Sequence, residues 1–192
     1  LCERVRMRNV RVRCTAAAES IRIISCYGVT LETCSIGQKS TAEAGGIILG
    51  DASRGVLLTG CHIERALQAI EIGDDYGAND GICRDIRVEN CHLEWCGQIE
   101  IAAGAWHVVL EGNTIECDIS PSAASTPALL VGGADVTIRG NEIRNPEGPA
   151  ITVTPLVTSD HVTIEGNRII GGETHGVSVT DTAFTLRNLT IS

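Results

Sequence analysis

Two stretches whose starts lie 30 residues apart, VLLTGCHI at Val56–Ile63 and IRVENCHL at Ile86–Leu93, share one eight-residue frame. Apolar residues hold places one, three and eight, Gly or Asn holds place five, and Cys holds place six. Working outward, the frame recurs as VTLETCSI at Val29–Ile36, VVLEGNTI at Val108–Ile115, VTIRGNEI at Val136–Ile143 and VTIEGNRI at Val162–Ile169. Degenerate copies stand at Val5–Val12 (VRMRNVRV) and Phe184–Ile191 (FTLRNLTI), and successive copies begin 22 to 30 residues apart. A shorter frame lies between them: Ile21–Ile23, Ile47–Leu49, Ile70–Ile72, Ile99–Ile101, Leu129–Val131, Ile151–Val153 and Val177–Val179.

Both frames alternate apolar and polar residues, the period of a half-buried strand, and both are too short for an amphipathic helix. Gly60, Asn90, Gly112, Gly140 and Gly166 at the fifth place suit a sharp corner, because these residue types tolerate positive φ. No helical segment intervenes to make a βαβ unit. Short strands, sharp corners and one apolar side per strand imply stacked coils, each pairing in parallel with the next about 4.8 Å away. The fold class is therefore all-β: a single-stranded parallel β-helix of about eight coils over residues 1–192, right-handed by the crossover preference.

The sixth place reads Val10, Cys34, Cys61, Cys91, Asn113, Asn141, Asn167, Leu189. In a stack these side chains point inward, one above another. Buried Asn needs partners, and an amide column supplies them along the stack, while Cys acts there as a small hydrophobe. Three Cys followed by three Asn is the segregation that stacking produces.

The period and the frame resemble the right-handed β-helices of the pectate-lyase-like superfamily, where about 22 residues make a minimal coil and a V-x-I-x-x-N-x-I segment turns a corner. The resemblance covers essentially the whole chain. It implies the fold, but not one activity, since the superfamily holds lyases, hydrolases, epimerases, phage tailspikes and proteins without known catalysis. Gly73-Asp74-Asp75 and Thr174-His175-Gly176 look similar to polygalacturonase segments, yet about four coils, close to 19 Å, separate them. The catalytic residues of pectate lyases and polygalacturonases are not matched.

Composition excludes some classes. The chain is 43% hydrophobic, so it can bury a core, and no apolar run approaches the roughly 20 residues of a membrane helix. A net charge of −9 disfavours nucleic acid and anionic lipid. Arg4, Arg6, Arg8, Arg11 and Arg13 cluster near the start, as a polyanion contact or as a solvated strand whose like charges discourage edge pairing. The nine Cys are odd in number and follow the coil period, so Cys34, Cys61 and Cys91 read as buried free thiols, with Cys14 and Cys117 also inward. No C-x-x-C pair supports a structural zinc site.

Three constellations carry candidate chemistry. Glu71 and Glu100 hold the outward middle place of the shorter frame in adjacent coils, and Asp74 and Asp75 follow Glu71 in the long connection from Gly73 to Asp85. Carboxylates so close would serve as a general acid/base couple for glycoside cleavage or as calcium ligands. The alternative is a solvated acidic patch. Tyr76, Arg84, Trp95 and Trp106 fall in neighbouring coils and would form a small sugar platform; the competing role is packing or edge cover. His62 and His92, with Glu64 and Glu94 beside them, share one register and would hold zinc or copper, or simply pair His with Glu.

Repeat stacks need caps. The first frame begins at residue 5 and the last ends at Ile191, so we expect a fragment of a longer β-helix, or a module capped by another domain or by a second copy. The leading functional expectation is a carbohydrate-associated β-helix that binds or cleaves an extracellular polysaccharide, placed outside the cell, at its surface or on a virion. The rival expectation is a non-catalytic spacer or adhesion module of a surface or phage tail protein.

Overall fold

The computed structural model describes residues 2–14, 21–38, 45–50, 52–73, 82–117, 126–146, 148–154, 159–171, 176–180 and 186–192. The coils build three parallel sheets, and a typical coil contributes one strand to each; the first two coils give the first sheet two strands apiece. In the coil that starts at Cys83, the first sheet takes Cys83–Glu89, the second His92–Cys96 and the third Gln98–Ile101. Every strand pairs with its equivalent one coil on, in register: Ile86 with Val56 and Val108, Leu93 with Ile63 and Ile115, Ile99 with Ile70 and Leu129.

Inward residues form continuous apolar columns. Val56, Ile86, Val108, Val136 and Val162 are at most 1% exposed, as are Ile36, Ile63, Leu93, Ile115 and Ile143. Burying a side chain of this size contributes roughly 1.5–3 kcal/mol, and the columns repeat it on every coil. Polar residues alternate onto the outer faces, so the sequence period of two becomes the inside and outside of one wall.

Two bends recur on each coil. The fifth-place corner runs Asn9, Thr33, Gly60, Asn90, Gly112, Gly140, Gly166, all with φ between 51° and 64°. A second left-handed column lies inside the first sheet, at Arg4, Gly28, Gly55, Asp85, His107, Asp135, His161 and Asn188, with φ between 52° and 65°.

Inside the corner, five sixth-place residues donate to the third-place carbonyl one coil back, while Cys91 Sγ donates to Glu89 on its own coil. Asn113, Asn141 and Asn167 do so through Nδ2 to Val88, Leu110 and Ile138 at 2.8–3.0 Å. Cys34 and Cys61 do so through Sγ to Met7 and Leu31 at 3.5 and 3.4 Å. The amides also bond one another along the stack, Asn113 to Asn141 and Asn141 to Asn167, each at 2.9 Å. Cys34, Cys61, Cys91 and Cys117 are buried free thiols, and the side chain of Cys14 lies outside the described residues.

The coil count falls short of eight. Among the described residues, the second and third sheets hold seven strands each, while the main path of the first sheet holds eight rungs. The cause is the register of the last frame. Leu189 pairs with Val162 and Ile191 with Ile164, so Leu189 occupies the first place and not the sixth. The last copy begins five residues later than its resemblance to the frame suggests.

Candidate functional site

The third sheet brings Glu71 and Glu100 together. They are register partners on adjacent coils, flanked along the same outward column by Ile48 on one side and Leu130 on the other. Parallel pairing sets their Cα atoms about 4.8 Å apart. Gln68 and Gln98 form the neighbouring outward pair, and Gln68 Nε2 donates to Glu100 Oε2 at 2.8 Å. The result is a small field of two amides and two carboxylates on one face.

This field is held by a tight corner. Ahead of Gln98 the chain passes Gly97, where a Cβ would stand 2.0 Å from the carbonyl oxygen of Leu67 one coil back. Only a glycine lets the two coils approach that closely. Before it, Trp95 adopts φ 52° and projects outward, 41% exposed. The Arg65 guanidinium lies 4.9 Å from its ring centroid, a cation–π contact that orients both side chains. Trp95 is thus an exposed indole at the end of the second sheet, three residues ahead of Gln98 where the third-sheet strand starts.

Past the third sheet, the coils enter the first sheet. Arg84 and Trp106 are register partners there, both exposed, Trp106 to 47%. They therefore lie on a different sheet from Glu71 and Glu100. Asp74, Asp75 and Tyr76 lie outside the described residues. Of the four carboxylates named as calcium ligands, Glu71 and Glu100 are the two within the described residues.

On the second sheet, His62 pairs with His92 and Glu64 with Glu94. The imidazoles stand 5.2 Å apart at 34°, and His62 Nε2 lies 3.1 Å from Glu94 Oε2. Glu64 turns instead to Arg65, at 3.5 Å. The donors engage one another and their neighbours, and among the described residues no group of three or more His, Cys, Asp or Glu is placed to hold a metal ion. The Arg-rich first coil is likewise tied down in part, since Arg6 and Arg8 both reach Glu32, at 2.5 and 3.3 Å.

Two features escaped the sequence reading. Asp85, at the bend of the first sheet, sits 2.7 Å from His107 Nδ1 one coil on. Beside it is an open depression of about 320 Å³, lined by Gly55, Val56, Leu57, Asp85, Arg87 and Glu89. The second feature is that Arg84 and Trp106, both named from the sequence, continue a column through Arg54 to Tyr27, which were not. Its signal was present: each member lies two places before the first apolar residue of its frame.

With this geometry in place, the comparisons with known proteins are consistent. The family model for the right-handed β-helix region matches residues 75–192, more than half of the chain. The chain belongs to that family, and its architecture is that of a right-handed parallel β-helix. Among solved structures, ORF18 of Geobacillus virus E2 is similar with a TM-score of 0.65 at 11% identity, over 91% of this chain and 36% of that one. The A-module of the mannuronan C-5 epimerase AlgE4 from Azotobacter vinelandii is similar with a TM-score of 0.59 at 16% identity, over 99% of this chain and 58% of that module. The chain therefore spans about a third of the viral protein and little more than half of the epimerase module, and likeness at these identities is a likeness of fold. No curated protein sequence matches this chain. Among the described residues, no helix is long and apolar enough to cross a membrane.

Proposed function

We propose that this β-helix binds an extracellular polysaccharide across the outward face of its third sheet. One observation carries the reading: Glu71 and Glu100 stand in register one coil apart, with Gln68 bonded to Glu100. Sugar hydroxyls donate to carboxylates and accept from amides, so such a field recognises neighbouring hydroxyls of one glycan. The exposed indole of Trp95 at the corner offers the flat apolar face on which a sugar ring stacks. A mannuronan epimerase module among the fold neighbours supports polysaccharide as the class of ligand.

The same spacing suits cleavage, because retaining glycosidases hold their two carboxyl groups roughly 5 Å apart. The test uses the intact chain against a panel of neutral and acidic polysaccharides. It measures retention by affinity electrophoresis, and turnover by release of reducing ends or unsaturated uronides. We expect retention by at least one polysaccharide, weakened at least about tenfold by Glu71→Gln or Trp95→Ala. If the chain turns over its ligand, Glu71→Gln abolishes release. Absence of retention and turnover on every glycan overturns the reading and leaves a structural spacer.

A further inference from the structure

We propose that Arg54 and Arg84 form a binding site for an oxyanion, a carboxylate or sulfate carried on a sugar ring, with Tyr27 and Trp106 as its apolar walls. The four residues are successive rungs of one column on the first sheet: Tyr27 pairs with Arg54, Arg54 with Arg84 and Arg84 with Trp106. This names the charge of the glycan proposed above, yet the site stands on a different sheet, so the two readings fail separately.

Arg6, Arg8, Arg65, Arg87, Arg139 and Arg168 each face a glutamate. Arg54 and Arg84 have no ion-pair partner among the described residues, although the chain carries a net charge of −9. Arg4, Arg11, Arg13 and Arg22 also form no ion pair among the described residues, and what distinguishes Arg54 is its buried Nε. Like charges on directly paired strand positions repel, and an anion bound between them would relieve that repulsion. The adjacent carboxylate does not relieve it, because Asp85 is turned to His107 at 2.7 Å.

Arg54 carries a second sign of an absent partner. Its Nε is buried and has no hydrogen-bond acceptor, a rare condition for a polar atom. Its guanidinium carbon lies 5.7 Å from the Tyr27 ring centroid, which directs the side chain along the column. The backbone beneath is fixed: Ser53 is fully buried and its Oγ donates to Gly50 at 2.8 Å, while the Arg84 N–H donates to the Ser53 carbonyl at 3.0 Å. Arg54 and Arg84 are register partners, so two guanidinium forks rooted one strand spacing apart can turn to the oxygens of a single carboxylate or sulfate. Trp106, beyond Arg84 and 47% exposed, presents a ring face for the sugar that bears the anion.

The experiment follows the arginine Nε–H resonances of the full chain during titration with inorganic sulfate. Calorimetry then compares a uronate oligosaccharide, a sulfated oligosaccharide and a neutral oligosaccharide. Sulfate should shift Arg54 and Arg84 saturably and leave exposed Arg168 unmoved. At least one acidic oligosaccharide should bind at least about tenfold more tightly than the neutral one, and Arg84→Gln, at an exposed position, should remove that advantage. Which acidic oligosaccharide wins identifies the oxyanion. Uniform or absent arginine shifts overturn the clamp, and so does an acidic advantage that survives Arg84→Gln. Sulfate binding without any oligosaccharide preference overturns the sugar ring. Loss of affinity in Arg84→Gln but not in Glu71→Gln leaves the clamp standing and removes the third-sheet site.

Discussion

Asn113 and Asn141 are joined twice across one coil step. Asn113 donates from Nδ2 and from its backbone N–H to the same Oδ1 of Asn141, both at 2.9 Å. Asn141 also donates to the Leu110 carbonyl at 3.0 Å and is 1% exposed. Asn141→Leu therefore strands two donors and one acceptor inside the stack. At about 1 kcal/mol or more for each buried group left unsatisfied, we expect a loss of about 3 kcal/mol in urea unfolding. A loss below about 1 kcal/mol would show that the amide column is not a structural spine.

Gly97→Ala should be costly for a different reason. The added methyl meets the Leu67 backbone at 2.0 Å, and the backbone cannot step aside as a flexible side chain does. Overpacking of this kind costs about 1–3 kcal/mol. Because the corner carries Trp95 and Gln98, we expect thermal stability and Trp95 fluorescence to change together. A fully stable variant with unaltered emission would contradict the close coil approach.

Acid should weaken the outer ion pairs. A hydrogen bond from Arg6 holds the Glu32 carboxyl below its ordinary value of 4.5, Arg139 does the same for Glu111, and Arg144, with Arg168, for Glu142. In the unfolded chain these groups bind protons first as the pH falls. Their contribution to stability is thus complete above about 4.5 and disappears as the pH drops through the lowered folded values. These pairs lie at the surface, so added salt should shrink the effect. Melting temperature followed from pH 6 to pH 3, at low and high salt, checks this; a rise in stability on acidification would contradict it.

Thiol chemistry reports on the inner wall. Burial pushes Cys96 up to about 12. In the Cys61–Cys91 pair, the hydrogen bond between the thiols raises Cys91, with burial adding to it, and lowers Cys61. Both residues are 1% exposed, and the only exposed cysteine among the described side chains is Cys2. In a Cys14→Ser background, a thiol reagent should modify Cys2 rapidly and Cys34, Cys61, Cys83, Cys91, Cys96 and Cys117 only on unfolding. Rapid native labelling of Cys61 would contradict the stack.

Much of the architecture was legible because a coiled stack converts sequence period directly into position. The eight-residue frame predicted the corner at Asn90 and the inward column from Cys34 through Asn167, since one face is buried and a shift of one residue would expose it. It failed at Phe184–Ile191, where FTLRNLTI matches the frame by composition while the strand pairs with Leu189 opposite Val162. The Glu71–Glu100 pairing was equally legible from the shorter frame. Arg54 and Tyr27 were missed because they precede the frame, at positions without apolar alternation, and the partners taken by Asp85 and Glu64 depend on side-chain rotation that periodicity does not encode.

The account turns on Glu71 and Glu100 meeting one ligand across a single coil step. A double-mutant cycle on glycan affinity, with Glu71→Gln, Glu100→Gln and the two together, tests that most directly. The prediction is a coupling of at least about 0.5 kcal/mol between the two positions, because both carboxylates touch the same sugar. Purely additive losses, or no loss in any of the three variants, would contradict it.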